Sequence, residues 1–181
     1  MTAAFVRAQL ARLPGLTRRC QENAERLRSG LAELPGVHVP RVPSDRTSVH
    51  HKVRVHLDPQ RAGLSCSPRA LRDVALKALA AEGLEVVLWQ TEPLSAQPIF
   101  RDVGFGKGFP WTSAGGEEAR AGYDARRFPI TQRLLDGSIV LFSQSYPLIA
   151  QDTALVDRYV EAFAKVWAQR SRWGKPANSL R

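Results

Sequence analysis

Apolar residues recur at helical spacing from the start of the chain. Phe5, Val6, Leu10 and Leu13 mark a helix over 2–13, and Ala24, Leu27, Leu31 and Leu34 continue the period in a second helix that Pro14 opens and Pro35-Gly36 closes. The first of these begins almost at Met1 with no capping residue beyond Thr2, and its apolar side has no local segment to pack on. It is expected to be a piece of something larger. After a loop marked by Pro40, Pro43 and Ser44 the period changes, and Val49, His51, Val53, Val55 and Leu57 alternate with polar residues as a half-buried strand that Asp58-Pro59 ends. Ser67-Pro68 sets a capping residue before a proline at the first helical position. Leu71, Val74, Ala75, Ala78 and Leu79 then form the stripe of a helix over 68–82 that stops at Gly83. Leu84 to Trp89 is almost wholly apolar and predicts a strand packed on both faces.

From Gln90 to Arg127 periodicity is lost in a stretch too long for an ordinary connector, and long ordered loops of this kind serve function. Phe128 to Leu135 predicts a short helix, Asp136-Gly137 a turn, and Ser138 to Phe142 a strand. Asp152 caps a last helix over 152–170 whose Leu155, Val156, Tyr159, Val160, Phe163, Val166 and Trp167 make a broad apolar face. The sum is an α+β chain: a small mixed sheet of three strands covered by helices, preceded by a long helical arm. The expected organisation is an arm over 1–36, a small domain over 37–170 carrying the loop 90–127, and a flexible tail over 171–181.

Composition narrows the function classes. With 181 residues, 44% hydrophobic and 24% charged, the chain suits a packed globular fold, and no apolar run approaches the length of a membrane helix. Arg7 and Gln9 come too early for the apolar core of a signal peptide, so the expected location is the cytoplasm. Cys20 and Cys66 are then expected as free thiols. The net charge of +9 raises nucleic acid as a partner, yet only Lys52, Lys77, Lys107, Lys165 and Lys175 are lysines and the arginines are scattered among acids. A solvated, arginine-rich surface is the better account.

Chemistry is sparse. His50, His51 and His56 share one strand without the i, i+2 spacing of ligands on a strand face, and no cysteine or acidic cluster joins them, so no metal site is expected. Gly104-Phe-Gly-Lys-Gly108 resembles a phosphate loop, but Phe109 stands where a third glycine belongs and Pro110 follows instead of a helix. Phe105, Lys107, Phe109 and Trp111 suit a lid over a ligand. No nucleophile and base constellation stands out.

Several blocks resemble a known family in order. Met1-Thr-Ala-Ala-Phe-Val-Arg-Ala-Gln-Leu10, Arg18-Arg-Cys-Gln-Glu-Asn-Ala-Glu-Arg-Leu27 and Leu34-Pro-Gly-Val37 are similar to the start of the C-terminal part of DegT/DnrJ/StrS-type aminotransferases, which depend on pyridoxal phosphate (PLP). Ala78-Leu-Ala-Ala-Glu-Gly-Leu84, Pro93-Leu-Ser-Ala-Gln-Pro-Ile-Phe100, Tyr146-Pro147 and Val156 to Trp167 resemble the family's later helix, substrate-side loop and last helix. Gly106-Lys-Gly-Phe-Pro-Trp111 is similar to a loop of the amino-cyclitol and aminohydroxybenzoate branch.

The resemblance implies the small, C-terminal domain of a fold-type I aminotransferase without the large domain that binds PLP and supplies its lysine. No residue here is implied to be catalytic, and PLP is implied in a partner domain or homologous subunit, within a homo- or hetero-oligomer. Trp89, Gln90, Ser95, Gln97, Lys107 and Trp111 are the implied substrate-side loop residues, Ser95 standing where several relatives carry histidine. The implied chemistry is amino transfer from a donor such as glutamate or glutamine to a keto sugar or keto cyclitol. A non-catalytic binding or scaffold subunit derived from the family is the alternative, and nucleic-acid binding rests on charge alone.

Overall fold

The computed structural model describes residues 2–101, 124–143 and 145–173. Helix α1 (Thr2–Leu31) is one element where two were expected, with Pro14 inside it. Proline keeps a helical φ and removes a single N–H, and the carbonyl it leaves unbonded lies in an exposed stretch that water can reach. The C-terminal half of α1 buries Cys20, Asn23, Ala24, Leu27 and Leu31. Asn23 is held there because its amide donates to the carbonyls of Leu148 and Gln151, at 3.2 and 3.0 Å.

Gly36, at φ +78°, turns the chain out of α1 and accepts the Asp58 N–H at 2.8 Å. The turn leads into β1 (Val37–His38), a strand too short to leave a period in the sequence. Its antiparallel partner β2 (Val53–Leu57) alternates as expected, Val53, Val55 and Leu57 facing the core, but begins four residues late. His50 sits at φ +45° and bends the preceding segment out of the ladder.

Helix α2 (Pro68–Ala81) starts as the sequence indicates: the Ser67 hydroxyl accepts the Ala70 N–H at 3.2 Å. The chain continues through β3 (Val86–Val87), the short α3 (Pro98–Arg101), α4 (Pro129–Asp136), β4 (Ser138–Leu141) and α5 (Thr153–Ala168). The strand order is β1-β2-β4-β3, with every pairing antiparallel. The small mixed sheet of three strands expected from the sequence is thus corrected to four antiparallel strands. β2 and β3 do run in the same direction, but β4 is inserted between them and pairs antiparallel with both. β3 is therefore a half-buried edge strand, and β4, buried at every residue, takes the two-faced central role expected of Leu84 to Trp89.

Val55, Leu57, Ile139 and Leu141 form one core with Leu27 and Leu31 of α1, Leu71 and Leu79 of α2, and Phe163 and Trp167 of α5. The Trp167 indole donates to the Pro35 carbonyl at 2.9 Å, tying α5 to the end of α1. Gly30 permits the close α1–α5 approach: an added Cβ would lie 2.6 Å from Val160 Cγ1. Gly30→Ala is expected to lower stability by about 1–3 kcal/mol despite its better helix propensity, and Val160→Ala in the same chain to restore most of it. Denaturant unfolding of the unmutated chain and the two variants checks this.

Candidate functional site

β3 ends at a cleft of about 480 Å³. One wall is the segment after the strand, with Gln90, Glu92 and the 3-10 turn Leu94–Ala96; the other is Phe100 of α3 and Phe128, Thr131 and Leu135 at the start and along one face of α4. The first wall is rigidified locally. Pro93 precedes the turn, its carbonyl accepts the Ala96 N–H at 2.9 Å, and the Leu94 carbonyl accepts that of Gln97 at 3.0 Å. Ser95 is only 7% exposed, and its hydroxyl has no hydrogen-bond partner among the described residues. An unsatisfied buried hydroxyl costs about 1–3 kcal/mol, so a group entering the cleft that bonds to it gains that much in return.

Of the residues singled out from the sequence, Gln90 and Ser95 line this cleft together. Trp89 lies beside it, 47% exposed, with the Lys52 ammonium over its ring. Desolvation there holds the Lys52 amine below its ordinary value. Gln97 is exposed and does not line the cleft. Lys107, Trp111 and the glycine-rich loop Gly104–Gly108 lie outside the described residues, as does the tail beyond Trp173. Glu92, Phe100, Phe128, Thr131 and Leu135 were missed. Thr131 and Leu135, four apart on α4, carried a usable signal in their common helix face.

The described lining does not fit PLP: it holds one carboxylate, Glu92, and neither a lysine nor a cation to meet a phosphate. Lys165 is paired with Glu82 at 2.7 Å. Among the described residues no three His, Cys, Asp or Glu side chains converge as metal ligands. Cys20 and Cys66 are both free.

Two polar clusters outside the cleft lining brace the sheet. The Glu85 carboxylate, just before β3, accepts the Ser143 hydroxyl at 3.1 Å and the N–H groups of Ser145 and Tyr146 at 3.0 and 3.2 Å. Its own N–H donates to the Tyr159 hydroxyl at 3.0 Å. Burial alone would raise the Glu85 carboxyl; the bonds from Ser145, Ser143 and Tyr146 outweigh it and hold the group below its ordinary value. Across β1, β2 and β4, His38, His56 and Ser138 form one rung, the imidazoles stacked 6.4 Å apart. Burial, with His38 alongside, holds the His56 imidazole low against the pull of Asp58.

A family model described as DegT/DnrJ/EryC1/StrS aminotransferase matches residues 1–118, more than half of the chain. The chain belongs to that family. It is 28% identical over 170 residues to the protein MosB of Rhizobium meliloti, covering 92% of this chain and 30% of MosB. Among solved structures it is similar to Spr1654 of Streptococcus pneumoniae, a candidate sugar aminotransferase in its PLP form, with a TM-score of 0.58 and 20% identity over 90% of this chain and 34% of that one. 3-Amino-5-hydroxybenzoic acid synthase gives 0.61 and 19%, over 90% of this chain and 37% of its own. These likenesses show the fold, part of a fold-type I aminotransferase. This member of the DegT family spans about a third of the relatives it matches.

Glu85 and His56 both bind a proton less readily folded than unfolded, so each adds stability that is lost as pH falls. Melting temperature is expected to fall from pH 7 to about 5.5 and again below about 4.3, the ordinary histidine and glutamate ranges. His56→Gln flattens the first limb, with His50, also held low by burial, supplying the remainder. Glu85→Gln flattens part of the second, with Glu25, Asp45, Asp124 and Asp157, each held low by a hydrogen-bonded arginine, supplying the remainder. Calorimetry across pH checks both.

Proposed function

We propose that this chain is the substrate-side part of a PLP-dependent aminotransferase acting on a keto sugar or keto cyclitol, working beside a separately folded cofactor-binding domain. Membership of the aminotransferase family, with about a third of its relatives' length, is the observation that carries this reading. The cleft supports it. Ser95 and Gln90 offer hydrogen bonds to ring hydroxyls, Glu92 accepts from another, and Phe100, Phe128 and Leu135 give a ring's C–H face an apolar wall. PLP, held by the partner domain, would supply the electron sink for moving the amino group from glutamate or glutamine. This chain's residues bind and orient the acceptor and exclude water from one side of it.

A tagged copy purified from its source cell in native form is the test. Borohydride is expected to fix PLP to a lysine of a partner polypeptide and to none of this chain, and the complex to aminate a keto cyclitol or keto sugar. Ser95→Ala should raise KM about tenfold with little change in kcat. A native complex without PLP, or one whose amination survives removal of this chain, would overturn the proposal in favour of a binding subunit.

A further inference from the structure

Between the segment that follows β1 and the first residues of β2 lies another hollow, of about 340 Å³, which shares no lining residue with the cleft. Its charge has one sign. Arg41, Arg46, Lys52 and Arg54 line it together, and no Asp or Glu among the described residues does. Arg46 pairs at 2.7 Å with Asp45, which stands outside the lining, and the Lys52 ammonium rests over the Trp89 ring. Arg41 and Arg54 make no ion pair among the described residues. Glu25 of α1, close enough to act on Arg41, is already bonded by Arg28 and Ser29, at 2.7 and 3.1 Å. Hydroxyls of Thr47 and Ser48 complete the polar lining.

The rim is held before any ligand arrives. The Arg46 N–H donates to the Pro43 carbonyl at 3.3 Å, and the Gln21 amide of α1 donates to the Ser48 carbonyl at 3.1 Å. Ser48 Oγ accepts the His50 N–H at 3.2 Å and keeps its own proton to donate. A fixed backbone thus gathers four cations, and their mutual repulsion is a cost that an anion in the hollow would remove.

We propose that this hollow binds the phosphate group of a small molecule, with Arg41 and Arg54 clasping its oxygens, Arg46 and Lys52 balancing its charge, and Thr47 and Ser48 donating hydrogen bonds. Guanidinium forks match phosphate oxygens two at a time. A single carboxylate carries too little charge for four cations. A duplex nucleic acid calls for cations spaced along a surface, phosphate after phosphate, whereas these four line one concave hollow sized for a small ligand.

The test is calorimetric titration of the full chain with inorganic phosphate, glucose 6-phosphate, adenosine diphosphate and a DNA duplex, at about 0.15 M salt. One equivalent of a phosphate probe is expected to bind, and the order of affinity among the three small probes tells free phosphate from an ester or a diphosphate. Arg41→Gln and Arg54→Gln should each weaken that binding about tenfold. Arg133→Gln with Arg158→Gln, both exposed elsewhere, should leave it unchanged. In the unmutated chain the bound probe is expected to shield Arg41 and Arg54, but not Arg133 and Arg158, from phenylglyoxal, read by peptide mass. Binding by none of the three probes, or binding and shielding indifferent to Arg41 and Arg54, would overturn the proposal. So would a duplex that binds through these two arginines more tightly than every small probe.

Discussion

An apolar helix stripe needs cover along its whole length, and in α1 the domain provides it only from Cys20 onward. The rest of the structure follows from that covered half. Leu27 and Leu31 join the sheet and α5 in one core, Gly30 lets α5 come close, Asn23 fixes the turn before α5, and the Trp167 indole reaches back to Pro35. Without these contacts the sheet would have only α2 and α5 on its core face. The same stripe is exposed at Phe5, Val6, Leu10 and Leu13.

The sheet topology places the cleft. Inserting β4 between β2 and β3 sends β3 to the edge, so the chain leaving it is free to turn through Gln90 and the Leu94–Ala96 turn toward α4. Glu85 anchors the start of this edge strand to the segment after β4. The described lining that results is largely apolar, with Gln90, Glu92, Thr131 and the unpartnered Ser95 hydroxyl as its polar groups.

The elements with long periods were legible in the sequence. α2, with its Ser67-Pro68 start, and α5, with its Asp152 cap, stood out because capping chemistry and stripe agree. What was not legible depended on tertiary pairing. β1 is two residues long and exists because Leu57 and His56 lie opposite it. Leu84 to Trp89 carries the composition of a buried strand, but the insertion of β4 decides that only Val86–Val87 pair, at an edge. Pro14 is a break signal that an exposed helix can absorb. In the cleft, Gln90 and Ser95 were visible through family resemblance, whereas Phe128 and Thr131 arrive from far along the chain and only the fold brings them near.

The central claim, that half of α1 lacks the cover its stripe requires, is tested most directly by hydrogen exchange along that helix in the purified chain. A helical stretch of this length is marginal in water without packing. Amides of residues 5–16 are expected to exchange within seconds, while those of residues 20–31 exchange only on global unfolding. Equal protection along both halves would show that α1 stands without further cover, and would contradict the claim.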